Sequence, residues 1–320
     1  MQIIEYDEAD PVEILQLNLL GLDFALTPQR VELIRRLDPR PFPFFALYAV
    51  VDGVLAGQVG VFRLPMISAE GPEDVGGVWA VLTHPTFTRR KIADQLLNEA
   101  HEIMQAEGLR FSTLGTSKFR VAHILYQKQA YRDSFSSSTI FLRKEDVINR
   151  NEGLRAVLAS SDRLSLADDL FRRVARNRLG FAKRYEPFIP AMVTIGEIAM
   201  GKIEENNVWF LWKDDKLVGY FIAKYSESIL NILDTLLLEE INPVAAISAL
   251  TEELSASYIQ VKSNNNSLTT SLSKVGGKII PQDWNTFMIK PLMQEVMNID
   301  LKSFFGISTK RFLFSWMDCT

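Results

Sequence analysis

Apolar positions in the first part of the chain change from helical spacing to the alternation that is typical of strands. After a short β-rich segment, apolar residues recur every three or four positions, and long β-rich runs follow. Asp52-Gly53 joins two of these runs and favours a hairpin, because glycine tolerates the positive φ that such turns need. The predicted elements are a strand at 2–6, a helix ending at Gly21, a helix beginning at Pro28, and three strands of an antiparallel meander at 44–51, 54–62 and 77–83.

The residues after this meander combine helices with single strands. The stretch 91–107 carries its apolar side chains on one stripe and is followed by Gly108, which indicates an amphipathic helix. A strand, a second helix and a further strand are predicted at 111–114, 121–129 and 139–142. A meander followed by a strand–helix–strand crossover implies an α/β fold with a mixed sheet flanked by helices.

The rest of the chain predicts a connector and then a second α/β region. An arginine-rich, helical pattern runs from 151 to 185 and is broken by Pro187 and Pro190. Later elements are strands at 208–212 and 217–223, a helix at 243–254, a strand at 258–261, a helix at 267–275 and a strand at 285–289. The predicted division is a domain at 1–145, a helical connector at 146–190, a smaller α/β domain at 191–295 and a C-terminal tail at 296–320.

The second region reads as a weak copy of the first. Asp52-Gly53-Val54-Leu55-Ala56-Gly57 aligns with Asp214-Asp215-Lys216-Leu217-Val218-Gly219, and Tyr126-Gln127-Lys128-Gln129-Ala130-Tyr131 aligns with Leu272-Ser273-Lys274-Val275-Gly276-Gly277. The interval between the two matches is shorter in the second region and lacks a basic loop. These matches predict a duplicated fold.

Composition allows two folded domains and excludes several classes of protein. The chain has 320 residues, 47% hydrophobic and 23% charged, with a net charge of −4, so it has no general attraction for nucleic acid or an anionic membrane. Cys319 is the single cysteine, which excludes an intrachain disulfide and favours a reducing, cytoplasmic location. The first residues are acidic, and no apolar run reaches the roughly 18 residues of a membrane span. We therefore expect a soluble protein.

A basic loop lies between the third meander strand and the long amphipathic helix. Its residues Arg89-Arg90-Lys91 stand where the first helical turn offers unpaired N–H groups and the positive end of the helix dipole. A pyrophosphate suits such a site. The alternative is a solvated basic cluster, which would leave three cations unfavourably close to a helix N-terminus.

This segment resembles the coenzyme A signature of the GNAT acetyltransferases, in which a strand leads into a (Gln/Arg)-x-x-Gly-x-(Gly/Ala) loop that opens a helix. The six loop positions fall on Thr88, Arg89, Arg90, Lys91, Ile92 and Ala93. Thr88 replaces the family's Gln or Arg, and Lys91 replaces its Gly. Glycine lets the backbone approach the pyrophosphate, whereas the Lys91 ammonium offers a phosphate contact of its own.

A second block, 122–131, is similar to the Ala-x-x-Leu-Tyr-x-Lys-x-Gly-Phe ending of the family's last helix and following strand. Ala130-Tyr131 replaces Gly-Phe, and Phe119 occupies a position often held by Asn. By itself, a Leu-Tyr pair in an amphipathic helix is explained by core packing. Together the two blocks extend the resemblance over residues 1–145 and imply acetyl-CoA as co-substrate.

The resemblance also implies a mechanism. Backbone groups of Val81, Leu82 and Thr83 would pair with pantetheine where the sheet splays open, and one N–H would polarise the thioester carbonyl. An amine attacks directly in a ternary complex, and Tyr126 protonates the departing thiolate. For the base that removes the amine proton, Glu73 and Asp74 are the nearest carboxylates, although both could simply lie in the loop before the strand.

Other chemistry has weaker support. His84, His101 and His123 lack metal-ligand spacing, so we predict no metal, and no Gly-x-Ser-x-Gly nucleophile motif occurs. Leu272 stands where the first region has Tyr126, so the second domain is predicted to be catalytically inactive and to build the acceptor pocket or an oligomer interface, such as that of a homodimer. The predicted function is N-acetylation of an unidentified small-molecule or peptide amine. The alternative is a non-catalytic acyl-CoA-binding module for regulation or protein interaction.

Overall fold

The computed structural model describes residues 1–38, 40–198, 201–263, 265–280 and 286–318. Cys319 and Asn285 lie outside the described residues. Helices α1 to α10 are Pro11–Leu22, Pro28–Leu37, Ile92–Ala106, Val121–Lys128, Lys144–Val147, Ser165–Ala175, Ile189–Ile195, Pro243–Leu254, Asn266–Lys274 and Leu301–Phe304. Strands β1 to β18 are Gln2–Glu5, Pro41–Val51, Val54–Ser68, Gly71–Thr83, Phe111–Thr116, Arg132–Ser136, Ser138–Arg143, Leu154–Leu158, Leu179–Gly180, Glu197–Ile198, Gly201–Lys202, Val208–Lys213, Lys216–Ser226, Ile229–Leu237, Tyr258–Ser263, Lys278–Ile280, Thr286–Pro291 and Phe312–Leu313.

The first sheet has the strand order β1-β2-β3-β4-β5-β17-β6, and β9 joins it through β3. Its main path is antiparallel except for the parallel pair β4–β5. The β2–β3 hairpin turns at Asp52 and Gly53 with φ of 53° and 77°, the positive values that the Asp-Gly pair predicts. The mixed α/β sheet expected from the sequence is confirmed.

The second sheet repeats this plan in the order β16-β7-β15-β14-β13-β12-β8. Its meander β12-β13-β14 is followed by a parallel pair, β14–β15, as the first meander is followed by β4–β5. The two sheets exchange strands: β7 pairs with β15, while β17 inserts between β5 and β6. The sheets therefore do not follow the sequence-based boundaries at 145 and 295.

The predicted helical connector is wrong in its first part. After a turn at Gly153, β8 alternates buried Leu154 and Ala156 with exposed Arg155 and pairs with β12. In the described part of residues 151–195, α-helix covers only Ser165–Ala175 and Ile189–Ile195, and a short 3₁₀-helix lies at Ser161–Arg163. The arginine-rich pattern of the whole segment predicts a helix, but the short alternation of apolar and polar residues at 154–156 forms a strand instead.

The segment predicted as a tail is part of the core. Phe305 and Trp316 are buried, and the Arg184 guanidinium pairs with the Asp318 carboxylate at 2.9 Å in an equally buried position. A buried charge is tolerated when it is paired and hydrogen-bonded, so this contact ties the end of the described chain to the region before α7.

Helices cover both faces of the first sheet. α3 and Tyr126 of α4 pack on one face, while α1 and α2 lie on the other and share a hydrophobic core with the second half of the chain. Asp10 caps α1 by accepting the Val12 N–H, and Thr27 caps α2 by accepting the Arg30 N–H. None of the helices in the described ranges combines the length and the apolar character that crossing a bilayer requires.

Candidate active site

The first sheet opens between its two parallel strands. β4 and β5 pair only at Gly76–Ser112 and Gly77–Thr113, although β4 continues to Thr83. β5 keeps its other edge paired with β17 along its whole length. The edges at 78–83 and 114–116 are therefore not paired with each other and bound a cleft, the splay that the resemblance implies.

A β-bulge shapes the β4 side of this cleft. The register with β3 shifts between Trp79 and Leu82, and Ala80 has a φ of 47°. The His84 N–H donates to the Ala56 carbonyl of β3 at 2.9 Å, so the main chain of His84 faces β3. Main-chain groups of successive strand residues point to opposite edges, so those of Thr83 face the cleft.

The three residues predicted for pantetheine pairing therefore differ in their geometry. By the same alternation, Val81 faces the cleft with Thr83, whereas the main chain of Leu82 faces Gln58 of β3. The Leu82 side chain is buried beneath α1, where a Cβ on Gly21 would lie 3.3 Å from its own Cβ. Leu82 thus contributes packing. The main-chain hydrogen-bonding groups that face the cleft are those of Val81 and Thr83.

The basic loop ends in a helix start that its own residues do not cap. Lys91 is the N-cap residue of α3, makes no side-chain capping bond and has a φ of 60°. Within the described residues, the N–H groups of Ile92, Ala93 and Asp94 have no hydrogen-bond acceptor. Lys91 thus adopts the left-handed conformation that the family's glycine would favour, and the first turn remains open to an anion.

The cations of this loop are at the surface. Arg89, Arg90 and Lys91 are exposed, and the Arg90 guanidinium lies 5.0 Å from the centroid of the Phe87 ring. That cation–π contact orients Arg90 beside the helix start. The Thr88 hydroxyl donates to the Pro85 carbonyl at 3.1 Å, so it stabilises the loop.

Close packing sets the position of this helix start. A Cβ on Gly57 would lie 2.6 Å from Ile92 Cγ2, so α3 rests directly on β3. Gln129 donates to Asp94 Oδ1 at 3.0 Å and links the start of α3 to the end of α4. Ala93 is partly buried at the same turn.

Tyr126 lies on α4 and is buried. Its ring meets the Tyr131 ring edge-on at 5.9 Å, and the residue is only 7% exposed. Burial raises the pKa of the Tyr126 phenol, so at neutral pH the group is protonated and can donate.

A buried hydrogen-bond chain that the sequence does not reveal supports this region. Ser112 donates to the Gly76 carbonyl at 3.0 Å, so the Tyr131 hydroxyl, at 2.7 Å, must donate to Ser112. His101 Nε2 then donates to Tyr131 at 2.8 Å, and Lys290 Nζ donates to His101 Nδ1 at 2.9 Å. The chain joins α3, β4, β5 and β17 at the closed end of the cleft.

Burial lowers the pKa values of the two basic side chains in this hydrogen-bond chain. It lowers the pKa of His101 to about 3, with the charge of Lys290 as a second cause, and lowers the pKa of Lys290 to about 8. The sequence distinguishes His101 only as one of three histidines that lack metal-ligand spacing. The partners of His101 come from distant parts of the sequence, so no local pattern signals the network.

The two carboxylates considered as bases lie at the wrong end of β4. Glu73 is buried against Arg110, while Asp74 is 3.6 Å from Arg63 and within 3.4 Å of the Tyr185 hydroxyl. Both are inside the strand, about 25 Å along it from Val81 at some 3.3 Å per residue. They serve as partners of arginines, and neither faces the bulge.

The splayed mixed sheet and the uncapped, cation-rich start of α3 agree with the GNAT fold that the sequence resembles. Residues 5–125 match the sequence family described as the acetyltransferase (GNAT) domain. The N-terminal part of the chain is therefore a GNAT domain, and the chain as a whole has the fold of tandem GNAT proteins. No curated protein sequence matches it significantly.

Solved structures with the same fold are distant in sequence. A GCN5-related N-acetyltransferase from Anabaena variabilis superposes with a TM-score of 0.69 at 15% identity, over 91% of this chain and 73% of that one. Its counterpart from Kribbella flavida gives 0.66 at 13% identity, over 91% and 72%. A tandem GNAT protein from the clavulanic acid biosynthesis pathway gives 0.56 at 12% identity, over 91% and 98%.

Proposed function

We propose that this protein is an N-acetyltransferase that transfers the acetyl group of acetyl-CoA to an amine by direct attack in a ternary complex. The observation that carries the proposal is the juxtaposition of the open cleft with the uncapped, cationic start of α3. The cleft edge offers the hydrogen bonds of a strand to an extended pantetheine arm, and the helix start offers N–H groups to the pyrophosphate.

The proposed chemistry uses few side chains. The N–H of Val81 would polarise the thioester carbonyl while the amine nitrogen attacks its carbon. The C–S bond then breaks, the thiolate takes a proton from Tyr126, the amine nitrogen loses a proton to solvent, and solvent returns a proton to the Tyr126 phenolate. Glu73 and Asp74 are too distant to act as the base.

Thr83 would extend the backbone pairing, while Leu82 holds the strand against α1. Thr88, Arg89, Arg90, Lys91, Ile92 and Ala93 would form the phosphate site. We also propose the cytoplasm as the location, because one cysteine in 320 residues fits a reducing compartment.

Titration calorimetry with acetyl-CoA, followed by coenzyme A release with a panel of amines, tests the proposal. We expect one acetyl-CoA bound per chain and turnover with at least one amine class. Binding without turnover across small amines, peptides and aminoglycosides would favour a non-catalytic acyl-CoA-binding module. Failure to bind acetyl-CoA would refute both functions.

A further inference from the structure

The turn that ends α4 joins Tyr126 to Tyr131 at two points. The Tyr131 N–H donates to the Tyr126 carbonyl at 3.0 Å, and the Ala130 N–H donates to the Gln127 carbonyl at 3.0 Å. With Ala130 at a φ of 65°, these two bonds form a Schellman motif, which commonly brings the flanking side chains into contact. The two tyrosine rings make that contact, with centroids 5.9 Å apart and planes at 68°. The position of Tyr126 therefore depends on that of Tyr131.

Two hydrogen bonds fix the Tyr131 ring in turn. Its hydroxyl donates to Ser112 Oγ of β5 at 2.7 Å and accepts from His101 Nε2 of α3 at 2.8 Å. Tyr131 is 2% exposed, so these bonds lie in the close-packed interior. A buried hydroxyl that is bonded to both a strand and a helix leaves its ring little freedom to shift.

The partners of this hydroxyl are anchored where the cleft closes. Ser112 donates to the Gly76 carbonyl at 3.0 Å, and these two residues form the first pair of the short parallel ladder between β4 and β5. Lys290 Nζ donates to His101 Nδ1 at 2.9 Å, which fixes the orientation of the imidazole. The hydrogen-bond chain therefore connects the closed end of the cleft to the ring against which Tyr126 packs.

Packing of the Tyr131 ring does not account for its hydroxyl. The GNAT pattern that residues 122–131 resemble has a phenylalanine at this position, which packing alone must hold in place. In this chain Ser112 and His101 are 0% and 4% exposed, and both bond to the hydroxyl. Without it, the buried His101 N–H would lose the acceptor that it has within the described residues, which is unfavourable.

We infer that Tyr131 is a positioning residue for acetyl transfer, whose hydrogen-bonded ring holds the Tyr126 phenol where the thiolate of coenzyme A leaves. This inference rests on the proposed function and adds a residue that acts on the reaction through Tyr126. Proton transfer needs the donor within hydrogen-bond reach of the sulfur. A displacement of about 1 Å can cost roughly 10²-fold in rate, so a small shift of the ring is measurable.

Removal of the hydroxyl tests the inference. Tyr131→Phe keeps the ring and removes both hydrogen bonds, so kcat should fall about tenfold while the KM for acetyl-CoA stays within about threefold. Tyr48→Phe is the matched control, because Tyr48 is 0% exposed in the same sheet and its hydroxyl has no partner within the described residues. Parental kcat in Tyr131→Phe, or an equal loss in the control, would contradict the assignment.

A double-mutant cycle distinguishes positioning from general support of the fold. In the Tyr126→Phe background there is no phenol left to position, so adding Tyr131→Phe should change kcat by less than about twofold. A merely structural role predicts instead that Tyr131→Phe lowers kcat by the same factor in both backgrounds. Equal factors would overturn the inference and leave the acetyltransferase proposal standing.

A measurement without acetyl transfer separates the two proposals. The protein has eight tyrosines, and after labelling with 3-fluorotyrosine the ¹⁹F NMR signal of Tyr126 is the one that Tyr126→Phe removes. Tyr131→Phe should broaden or split this signal, because the Tyr126 ring then samples more than one position, whereas Tyr48→Phe should not. An unchanged signal in Tyr131→Phe would overturn the inference even if amines are acetylated. A broadened signal in a protein that acetylates no amine would refute the proposed function and keep the dependence of Tyr126 on Tyr131.

Discussion

The two parallel crossovers of the molecule follow the same path with opposite chemistry. β4 leads to α3 through residues 84–91, which include Arg89-Arg90-Lys91, whereas β14 leads to α8 through residues 238–242, which include Glu239-Glu240. α3 begins without a side-chain cap. α8 begins with Asn242, whose side chain accepts the Val244 N–H at 3.0 Å, and with Pro243, which has no N–H.

This difference shows how a repeated backbone acquires or loses a ligand site. A helix N-terminus binds an anion only if its N–H groups are free and nearby charges are favourable. The first crossover meets both conditions. In the second crossover, Asn242 accepts the Val244 N–H, Pro243 has no N–H, and two carboxylates lie in the preceding loop.

The helices that follow differ in the same sense. Tyr126 of α4 carries a phenol hydroxyl, while Leu272 of α9 is an apolar side chain that is completely buried as core. The second half thus contributes packing where the first half offers a donor. The second half also supplies β17 to the first sheet, and the first half supplies β7 to the second sheet. Each half therefore completes the sheet of the other.

The largest effect on turnover should come from Tyr126→Phe. The change removes the proton donor and keeps the ring, so kcat should fall by about 10²- to 10⁴-fold while acetyl-CoA affinity stays within about threefold. Steady-state kinetics with an accepted amine and calorimetry provide the two numbers. Leu272→Met, at the aligned core position, should leave kcat unchanged. Parental turnover in the Phe variant would assign the proton to water or another hydroxyl.

The crossover helices should also respond differently to acid. α3 buries His101, whose folded pKa of about 3 lies below the unfolded value of about 6.5, whereas α8 buries Ser248 and Thr251, which do not titrate in this range. Between these pKa values the unfolded state binds more protons, so the free energy of unfolding falls as pH decreases.

Relative to His101→Gln, the parent should lose roughly 2 to 3 kcal/mol of stability between pH 6.5 and pH 4.5, at about 1.4 kcal/mol per pH unit. Urea unfolding of both proteins across that range measures the difference. Parallel stability curves would show that His101 is not held neutral.

Charge reversal tests the crossovers directly. Arg90→Glu with Lys91→Glu should weaken acetyl-CoA binding at least tenfold, because two attractive charges become repulsive towards the pyrophosphate. The mirror variant, Glu239→Lys with Glu240→Lys, should not create a second site, because Asn242 still accepts the Val244 N–H and Pro243 has no N–H to offer. Both variants are compared with the parent by calorimetry with acetyl-CoA. Equal affinity of the parent and the first variant, or two binding sites in the mirror variant, would contradict the assigned difference between the crossovers.

Local patterns predict the first crossover because each of its signals is short-range. The Asp52-Gly53 turn, the stripe of α3 and the basic loop each lie within a few residues, and the structure reproduces them. The strand exchange could not be predicted in this way, because β7 and β17 look like ordinary strands wherever they pair. The same limit hides Lys290, which meets His101 only after β17 has crossed into the first sheet.

Removing the cap of α8 should have a smaller effect. Asn242→Ala deprives the Val244 N–H of its acceptor and should cost about 1 kcal/mol of stability. Asn242→Ser keeps a capping oxygen but loses the contact with Glu152, so it separates the two roles. Chemical denaturation measures both. If Ser and Ala are equally destabilising, the contact with Glu152 matters and the cap does not.

The smallest effect concerns the residue that replaces the family's glycine. Lys91 has a φ of 60°, and this left-handed conformation costs a side-chain-bearing residue roughly 1 kcal/mol or more. Lys91→Gly should therefore stabilise the fold by up to about 1 kcal/mol, reduced by the greater freedom of glycine in the unfolded chain. Lys91→Ala removes the same ammonium but keeps the strain, so it should bring no such gain. Both variants should lose acetyl-CoA affinity to a similar, several-fold extent if the ammonium contacts phosphate. Equal stability of the two variants would show that the backbone at Lys91 is unstrained, and the difference in thermal midpoint, measured without ligand, decides the matter.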